Sequence, residues 1–229
     1  IAGKNNLYVI EDNAQALGAD YSFSDGKVMK AGTIGHIGCT SFFPSKNLGC
    51  YGDGGALFTN NDELAERLAS TVNHGMTVRY YHDHVGINSR LDTLQAAVLQ
   101  VKLKYLDKYC KARQEAASFY DRAFGNHPKI SIPARFALST HVFHQYTLKL
   151  HGTDRDKLVK QLGDKGIPSA VYYPIPLHLQ KAYGNLGYKP DDFPVTEELC
   201  KKVLSLSMHT ELDAEQLDYI TLSLLELIA

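Results

Sequence analysis

Short apolar runs bounded by turn residues predict the strands near the start of the chain. Residues 7–10 are a continuous apolar run, which is typical of a parallel strand buried on both faces of a sheet. Further strands are predicted at 40–43, where Pro44 ends the run, and at 56–59, after a glycine-rich loop. The small and polar residues between the first two runs contain five glycines and predict turns.

Apolar residues spaced three and four apart predict the helices. Asn61 begins one helix, and acidic residues follow it in the first turn, where they suit the helix dipole. The longest pattern starts after Arg90 and continues to about residue 124, which predicts one helix of about 30 residues that links two domains. Ser89 and Asp92 have the spacing of a capping box at its start.

From residue 130 onward the pattern indicates a smaller α/β unit. Residues 145–150 alternate between polar and apolar, which predicts a half-buried strand, and 170–173 predict another strand. A helix is predicted from Thr153, again with capping-box spacing, and two more helices complete the chain.

These elements together predict an α/β protein with two domains. We expect residues 1–123 to hold a mostly parallel sheet and the linking helix, and 124–229 to form a small α/β domain. The first strand follows Ile1 almost at once, and a single buried strand needs neighbours on both sides. We therefore expect the chain to be a fragment, or a processed piece, of a longer α/β protein.

Composition and charge narrow the classes of function. Hydrophobic residues make up 44% of the chain and charged residues 21%, values that are typical of globular proteins and exclude collagen and coiled coils. A net charge of −1 gives no basic excess for nucleic-acid binding, and no apolar run is long enough for a membrane helix. Four cysteines without a CxxC pair indicate reduced thiols, so we expect a cytoplasmic protein.

Two polar residues stand where α/β proteins bind ligands. Asp12 follows the first strand, and the carboxyl ends of strands in open sheets are common binding sites. The alternative is that Asp12 only caps the following turn. Lys46 follows a strand end and a proline, between Ser41, Ser45 and glycines that could surround a phosphate, although the spacing is not that of a nucleotide P-loop. The alternative for Lys46 is a solvated surface charge.

Asn88 and Arg90 precede the predicted long helix, whose N-terminus favours anions. The alternative is that Asn88 serves only as a helix cap. His82 and His84 form an HxH pair, but no third ligand accompanies them at a suitable spacing, so we do not expect a metal site. Hydrolysis by a serine triad has no support, because no GxSxG turn is present.

Four segments of the chain carry a resemblance to a known family, and they occur in the family's order. They are VIEDNAQALGA at 9–19, TSFFPSKNLGCYGDGGALFTN at 40–60, GINSRLDTLQAAVL at 86–99 and YYPIPLH at 172–178. The sequence resembles the DegT/DnrJ/EryC1/StrS sugar aminotransferases, which are pyridoxal-phosphate (PLP) enzymes of fold type I, the aspartate aminotransferase fold. The resemblance implies the C-terminal portion of such an enzyme, without the N-terminal part of its large domain.

The resemblance implies roles for four residues around the cofactor. Lys46 would form a Schiff base with PLP and move the proton between substrate and cofactor. Asp12 would pair with the pyridine nitrogen and keep it protonated, which preserves the ring as an electron sink. Gln15 would lie near the ring or its phenolic oxygen, and Ser41 would donate a hydrogen bond to the phosphate.

The resemblance also implies a homodimer with shared active sites, because Asn88 would reach the phosphate of the neighbouring subunit. Arg90 would lie near anionic groups of the substrate, and Tyr173 would line the substrate pocket. Two departures from the family pattern are visible. Tyr172 replaces a frequent histidine, and the loop around His209 lacks the usual prolines.

The function implied is transfer of an amino group, from glutamate, to a nucleotide-linked keto-sugar in polysaccharide or glycan biosynthesis. The segments look most like members that aminate C3 of a UDP-linked 2-acetamido-3-oxo-glucuronic acid, and next like those that act on a 6-deoxy-keto-hexose carried by dTDP or UDP. One alternative is a PLP sugar dehydratase, but these carry histidine where this chain has Lys46. Another alternative is a non-catalytic fragment with a binding or regulatory role.

Overall fold

The computed structural model describes all 229 residues, which form two compact units. The first unit consists of residues 1–111 and 136–144, and the second of residues 112–135 and 145–229. The domain division after residue 123 stays a prediction. No helix combines the length and the apolar character that crossing a membrane requires.

The first unit contains seven short strands, two helices and the start of a third helix. The strands are β1 (Ile10–Asp12), β2 (Asp20–Ser22), β3 (Val28–Lys30), β4 (Ile37–Ser41), β5 (Gly55–Phe58), β6 (Met76–Val78) and β7 (Tyr81–His82). The helices are α1 (Asp62–Val72), α2 (Thr93–Leu103) and α3 (Leu106–Phe124), which continues into the second unit. The helix predicted to begin at Asn61 is confirmed as α1, and Asn61 is its N-cap, because its side chain accepts the backbone N–H of Leu64.

A three-stranded sheet in the order β1-β4-β5 carries the candidate site. β1 and β4 are parallel, with Asp12 opposite Cys39, whereas β4 and β5 are antiparallel. The loop between β4 and β5 turns the chain back without a crossover helix, so these two strands run in opposite directions. The expectation of a mostly parallel sheet therefore holds for one of its two pairings.

The first strand lies later in the chain than the apolar run predicted. β1 begins at Ile10, and the side chains of Leu7, Tyr8 and Ile10 are exposed. β1 is an outermost strand of the sheet and pairs only with β4. Its apolar character therefore does not show that it is buried on both faces. The hairpin of β2 and β3 was also missed, because the small and polar residues around it indicate turns.

The long helix predicted after Arg90 is two helices. α2 ends at Leu103 and α3 begins at Leu106, and between them the N–H of Tyr105 bonds to the carbonyl oxygen of Lys102 at 2.9 Å. This tight turn barely changes the three- and four-residue spacing of apolar positions, so the sequence pattern does not show the break. The predicted capping box is wrong as well, since Asp92 is the N-cap and its side chain forms no capping bond.

The second unit is built on an antiparallel sheet in the order β10-β11-β9-β8. Its strands are β8 (Ile130–Ser131), β9 (Tyr146–Leu150), β10 (Ser169–Ala170) and β11 (Val203–Leu206). Its helices are the later part of α3 with α4 (Arg155–Asp164), α5 (Pro194–Lys202) and α6 (Ala214–Ile228), and two short 3-10 helices lie at Leu177–Leu179 and Lys181–Leu186. The alternating strand predicted at 145–150 is confirmed, because Tyr146, Leu148 and Leu150 are buried.

Candidate functional site

Asp12 and Ser41 lie at the same edge of the sheet. They are the last residues of β1 and β4, which are parallel neighbours. Asp12 pairs with Cys39, so Ser41 lies two residues further along β4, or roughly 7 Å at the usual rise of a strand. The carboxyl ends of parallel strands thus bring a carboxylate and a hydroxyl to one edge. The sequence placed only Asp12 at a strand end, because the second strand was predicted at 40–43 and not at Ile37–Ser41.

Lys46 stands just beyond that edge, in the loop that follows β4. The N–H of Lys46 bonds to the carbonyl oxygen of Phe43 at 2.8 Å, which closes a turn around Pro44 and Ser45. The Lys46 side chain is half-buried and takes part in no hydrogen bond or ion pair. Most lysines project fully into solvent, so a half-buried lysine without a partner is unusual.

The two oxygen groups at this edge each retain bonding capacity. One carboxylate oxygen of Asp12 accepts the backbone N–H of Ala14 at 3.0 Å, and the other oxygen has no hydrogen-bond partner. The hydroxyl oxygen of Ser41 accepts the N–H of Phe43 at 3.2 Å, which leaves its own proton free to be donated. The edge therefore offers one free carboxylate oxygen and one hydrogen-bond donor, and the loop that carries Lys46 follows β4 directly.

Glu11 is a residue of this edge that the sequence reasoning missed. Its carboxylate accepts three backbone N–H groups, from Gly32 at 2.8 Å, Ile34 at 2.6 Å and Gly35 at 2.5 Å. Since successive side chains of a strand point to opposite faces, Glu11 anchors the loop before β4 while Asp12 faces the other way. The acidic residue beside Asp12 and the Gly32–Gly35 spacing were the available signals.

The loop after Lys46 packs tightly. Leu48 and Cys50 lie in a buried apolar cluster with Phe42. The side-chain amide of Asn47 donates to the carbonyl oxygen of Val142 at 2.9 Å. At Gly49 a β-carbon would lie 2.4 Å from the carbonyl oxygen of Pro44, so only glycine fits this position.

The other predicted residues of the first unit are placed elsewhere. Gln15 is exposed in the turn that follows β1. Asn88 is exposed, and its backbone forms a bridge with Asn73. Arg90 lines a cavity of about 1070 Å³ between β5 and α1. No hydrogen bond or ion pair joins these three residues to Asp12, Ser41 or Lys46.

Tyr173 belongs to the second unit, where it follows β10 and is exposed. The segment after it is held by a hydrogen bond between Nε2 of His178 and the carboxylate of Glu197, at 3.0 Å. The backbone N–H of Asp191 also donates to this carboxylate. The hydrogen bond from Asp191 and, to a smaller extent, the one from His178 hold the pKa of Glu197 below its usual value.

The HxH pair takes part in ordinary hydrogen bonds. His82 contacts the carbonyl oxygen of His74 through its Nδ1 at 2.9 Å, and His84 lies 3.1 Å from the hydroxyl of Thr71. No group of three or more His, Cys, Asp or Glu side chains is placed to hold a metal ion.

Comparison with known proteins decides the family. Residues 1–225 match the sequence profile of the DegT/DnrJ/EryC1/StrS aminotransferase family, so the match spans nearly the whole chain. The chain belongs to this family. The resemblance that the four motifs indicated is thereby confirmed, and it extends into the second unit of this family member.

Two similar proteins show the range of names within the family. A pleiotropic regulatory protein of Geobacillus stearothermophilus is 45% identical over 224 residues, which are 96% of this chain and 58% of that protein. UDP-2-acetamido-2-deoxy-3-oxo-D-glucuronate aminotransferase of Pseudomonas aeruginosa is 42% identical over 224 residues, which are 98% of this chain and 59% of that enzyme. The chain thus spans less than two thirds of the length of these curated relatives.

Solved structures confirm the fold. S. venezuelae DesV, determined in complex with a ketimine intermediate, matches with a TM-score of 0.90 at 36% identity, over 98% of this chain and 59% of DesV. A DegT/DnrJ/EryC1/StrS aminotransferase from Brucella abortus matches with a TM-score of 0.88 at 41% identity, over 98% of this chain and 58% of that protein. The part of the family member described here therefore has the α/β fold of the matching portion of these aminotransferases.

Proposed function

We propose that this chain is the part of a PLP-dependent aminotransferase that carries the reactive lysine, and that the enzyme aminates a nucleotide-linked keto-sugar. The observation that carries the proposal is the placement of Lys46, a half-buried amine without a partner, beyond the strand edge that bears Asp12. Similar enzymes from Pseudomonas aeruginosa and Acidithiobacillus ferrooxidans, 42% and 43% identical, are named for amination of UDP-linked keto-sugars.

The donor set at the edge fits PLP. A primary amine, a free carboxylate oxygen and a free hydroxyl proton match the three groups that PLP presents, which are its aldehyde carbon, its pyridine nitrogen and its phosphate. Lys46 would hold the cofactor covalently, Asp12 would face its nitrogen, and Ser41 would donate to its phosphate. When bound, PLP withdraws electrons from the carbon at which the amino group is exchanged.

The chain's own residues have defined tasks in this proposal. The amine of Lys46 accepts and returns the proton that moves during transfer, and its half-buried position limits competing contact with water. The carboxylate of Asp12 stays fixed by Ala14 and opposes a positive charge with its free oxygen. The family resemblance adds four residues to the proposed site, which are Gln15, Asn88, Arg90 and Tyr173. Asn88 would act in the neighbouring subunit of a homodimer.

Substrate, amino donor and setting belong to the same proposal. Glutamate is the proposed donor, and a UDP-linked 3-keto-sugar the first acceptor to test, in cytoplasmic synthesis of a polysaccharide or glycan. Relatives named for dTDP-linked amino sugars, such as a transaminase of Aneurinibacillus thermoaerophilus at 40% identity, support dTDP-linked keto-sugars as the second acceptor.

Two other candidates remain for comparison. A regulatory role is favoured by the similar protein of Geobacillus stearothermophilus, which is named as a pleiotropic regulatory protein. A dehydratase is disfavoured by Lys46, because the resembling dehydratases carry histidine at that position. A purely regulatory protein has no need of a half-buried lysine without a partner.

The test is a panel of nucleotide keto-sugars incubated with the complete gene product, PLP and glutamate. We expect an amino sugar and 2-oxoglutarate in equal amounts from one UDP-linked 3-keto-sugar, and no product from the Lys46→Ala variant. Release of water from the sugar without amination would support the dehydratase. Absence of both reactions across the panel would support the regulatory alternative.

A further inference from the structure

The loop that follows Lys46 is tied to α2 by two side chains. The side-chain oxygen of Gln95 accepts the backbone N–H of Tyr51 at 2.8 Å. The ammonium group of Lys102 donates to the backbone carbonyl oxygen of Gly49. Both bonds reach the backbone within five residues of Lys46, so they hold the path of the loop whatever its side chains are.

The two side chains share one face of α2. Gln95 and Lys102 are seven residues apart, which is about two helical turns, and Leu99 lies between them on the same face. Leu99 is buried in the cluster that also contains Leu48 and Cys50 of the loop. This face of α2 therefore presents an apolar contact with a polar bond on either side of it, and all three meet the segment 48–51.

The opposite face of the same helix supplies a comparison. Leu94 and Val101 are 72% and 61% exposed. Gln100, and Lys104 directly after the helix, are exposed, and their side chains form no hydrogen bond. The contacts of α2 with the loop are thus confined to one side. A glutamine and a lysine on the exposed side provide matched controls for the two on the loop side.

We propose that Gln95 and Lys102 are positioning residues that fix the backbone of the loop 46–51, and through it the amine of Lys46. The inference rests on the proposed function, in which Lys46 is the reactive amine. A lysine in a loop has freedom both in its backbone and in its long side chain, and an error of about 1 Å at a reacting group can lower a rate on the order of 100-fold. Two bonds and an apolar contact from a rigid helix remove the backbone part of that freedom.

The bond from Lys102 has particular weight because Gly49 is buried. A buried carbonyl oxygen that loses its donor stays without a partner, and the ammonium group forms a charge-assisted bond that a neutral side chain cannot replace. Gly49 also has no room to turn, since its α-carbon faces the carbonyl oxygens of Phe43 and Pro44. We expect loss of this bond to shift the loop as a whole rather than one peptide unit.

The experiment uses the complete gene product and three pairs of variants. Lys102→Met and Gln95→Leu delete the bonds, Lys102→Arg and Gln95→Glu restore the donor and the acceptor, and Lys104→Met and Gln100→Leu are the controls. The first readout is backbone hydrogen exchange of 46–52 without PLP. The second is the fraction of Lys46 that sodium borohydride fixes to added PLP, and the third separates kcat from KM.

We expect the deletion variants to exchange the Tyr51 amide at least tenfold faster, to reduce the labelled fraction of Lys46, and to lower kcat about 10- to 100-fold with little change in KM. The restoring variants should recover most of each loss, and the controls should match the wild type. Unchanged exchange and kcat in both deletion variants would overturn the inference. Loss of folding in both would also overturn it, because the residues would then serve stability.

The outcomes separate this inference from the proposed function. If borohydride labels no Lys46 in the wild type, the proposed function fails, and positioning of a reactive amine fails with it. If the wild type is labelled and active while the deletion variants behave like the controls, the proposed function stands and the inference alone is wrong.

Discussion

The carboxylate of Asp12 accepts the backbone N–H of Ala14 at 3.0 Å and keeps its second oxygen free. The bond is of the type that fixes an aspartate to a turn two residues further on. It shows that Asp12 does shape the turn after β1, which was one of the two interpretations of its sequence position. The bond leaves a charged oxygen with a fixed direction, so the two interpretations are compatible.

Replacement of Asp12 separates these two roles. Asn at this position keeps an oxygen that can accept the N–H of Ala14 but removes the negative charge. We expect Asp12→Asn to fold normally and to lose several kcal/mol of transition-state stabilisation, which is about 10³-fold in kcat. Asp12→Ala should lose the same activity and in addition some thermal stability. Near-normal turnover by Asp12→Asn would show that the residue is only part of the turn.

Lys46 can be tested without a substrate. We expect the complete gene product with PLP to absorb visible light, and borohydride reduction to fix the pyridoxyl group on the peptide that contains Ser45, Lys46 and Asn47. Peptide mass spectrometry locates the label. Lys46→Ala should abolish label and turnover while thermal unfolding stays close to that of the wild type, because the side chain forms no hydrogen bond or ion pair. Lys104→Ala is the control, and a label on another lysine would refute the assignment.

The proposed role of Asn88 across subunits predicts complementation. Asn88→Ala and Lys46→Ala should each be inactive as homodimers. In a mixed dimer one site would carry both lesions and the other neither. We therefore expect each heterodimer to regain up to half of the activity of a wild-type dimer. Tagged subunits confirm that heterodimers form. An absence of recovery in confirmed heterodimers would mean that Asn88 acts within its own chain.

The strand end at Asp12 followed from the sequence, whereas the contacts that support the candidate site did not. A polar residue directly after an apolar run is a local signal, and it located Asp12 at a strand end. Ser41 was expected inside a strand at 40–43 and is instead the last residue of β4. The bonds from Gln95 and Lys102 join residues 44 and 53 positions apart in the chain, and no local pattern encodes such contacts.

The missed elements have a similar cause. The break between α2 and α3 keeps the helical spacing of apolar residues, so periodicity alone predicts one helix. The strand β11 follows α5 without an intervening loop, and Val203 fits the period of that helix as well as the strand. In both cases tertiary packing selects one of two structures that the sequence pattern allows.

The hydrogen bonds of Glu11 predict that this residue contributes to stability and not to catalysis. Its carboxylate accepts three backbone N–H groups, and Gln can accept only through one oxygen while its NH₂ group faces donors. We expect Glu11→Gln to lower the free energy of unfolding by about 1–3 kcal/mol, measured by urea denaturation. Glu66→Gln, at an exposed position beyond the first turn of α1, is the control. Equal midpoints for the two variants would show that these bonds contribute little.

The buried tyrosines of the second unit predict a loss of stability at alkaline pH. Burial raises the pKa of Tyr120, and burial followed by its hydrogen bond to Asp121 raises the pKa of Tyr146. Because the folded pKa lies above that of an unfolded tyrosine, about 10, this contribution is complete below pH 10 and is lost as the pH rises further. Each tyrosine steepens the decline by up to about 1.4 kcal/mol per pH unit.

Tyr120→Phe tests this origin of the alkaline decline. The hydroxyl of Tyr120 donates to the carbonyl oxygen of Ser207 at 3.0 Å. Removal of this hydroxyl should lower the free energy of unfolding by about 1 kcal/mol at neutral pH. Above pH 10 the variant should lose stability less steeply than the wild type, because one ionisation of the unfolded chain is gone. Urea denaturation between about pH 8 and 11 measures both slopes. Tyr183→Phe, an exposed position, should keep the steep decline, and parallel curves for wild type and Tyr120→Phe would assign the loss to other groups.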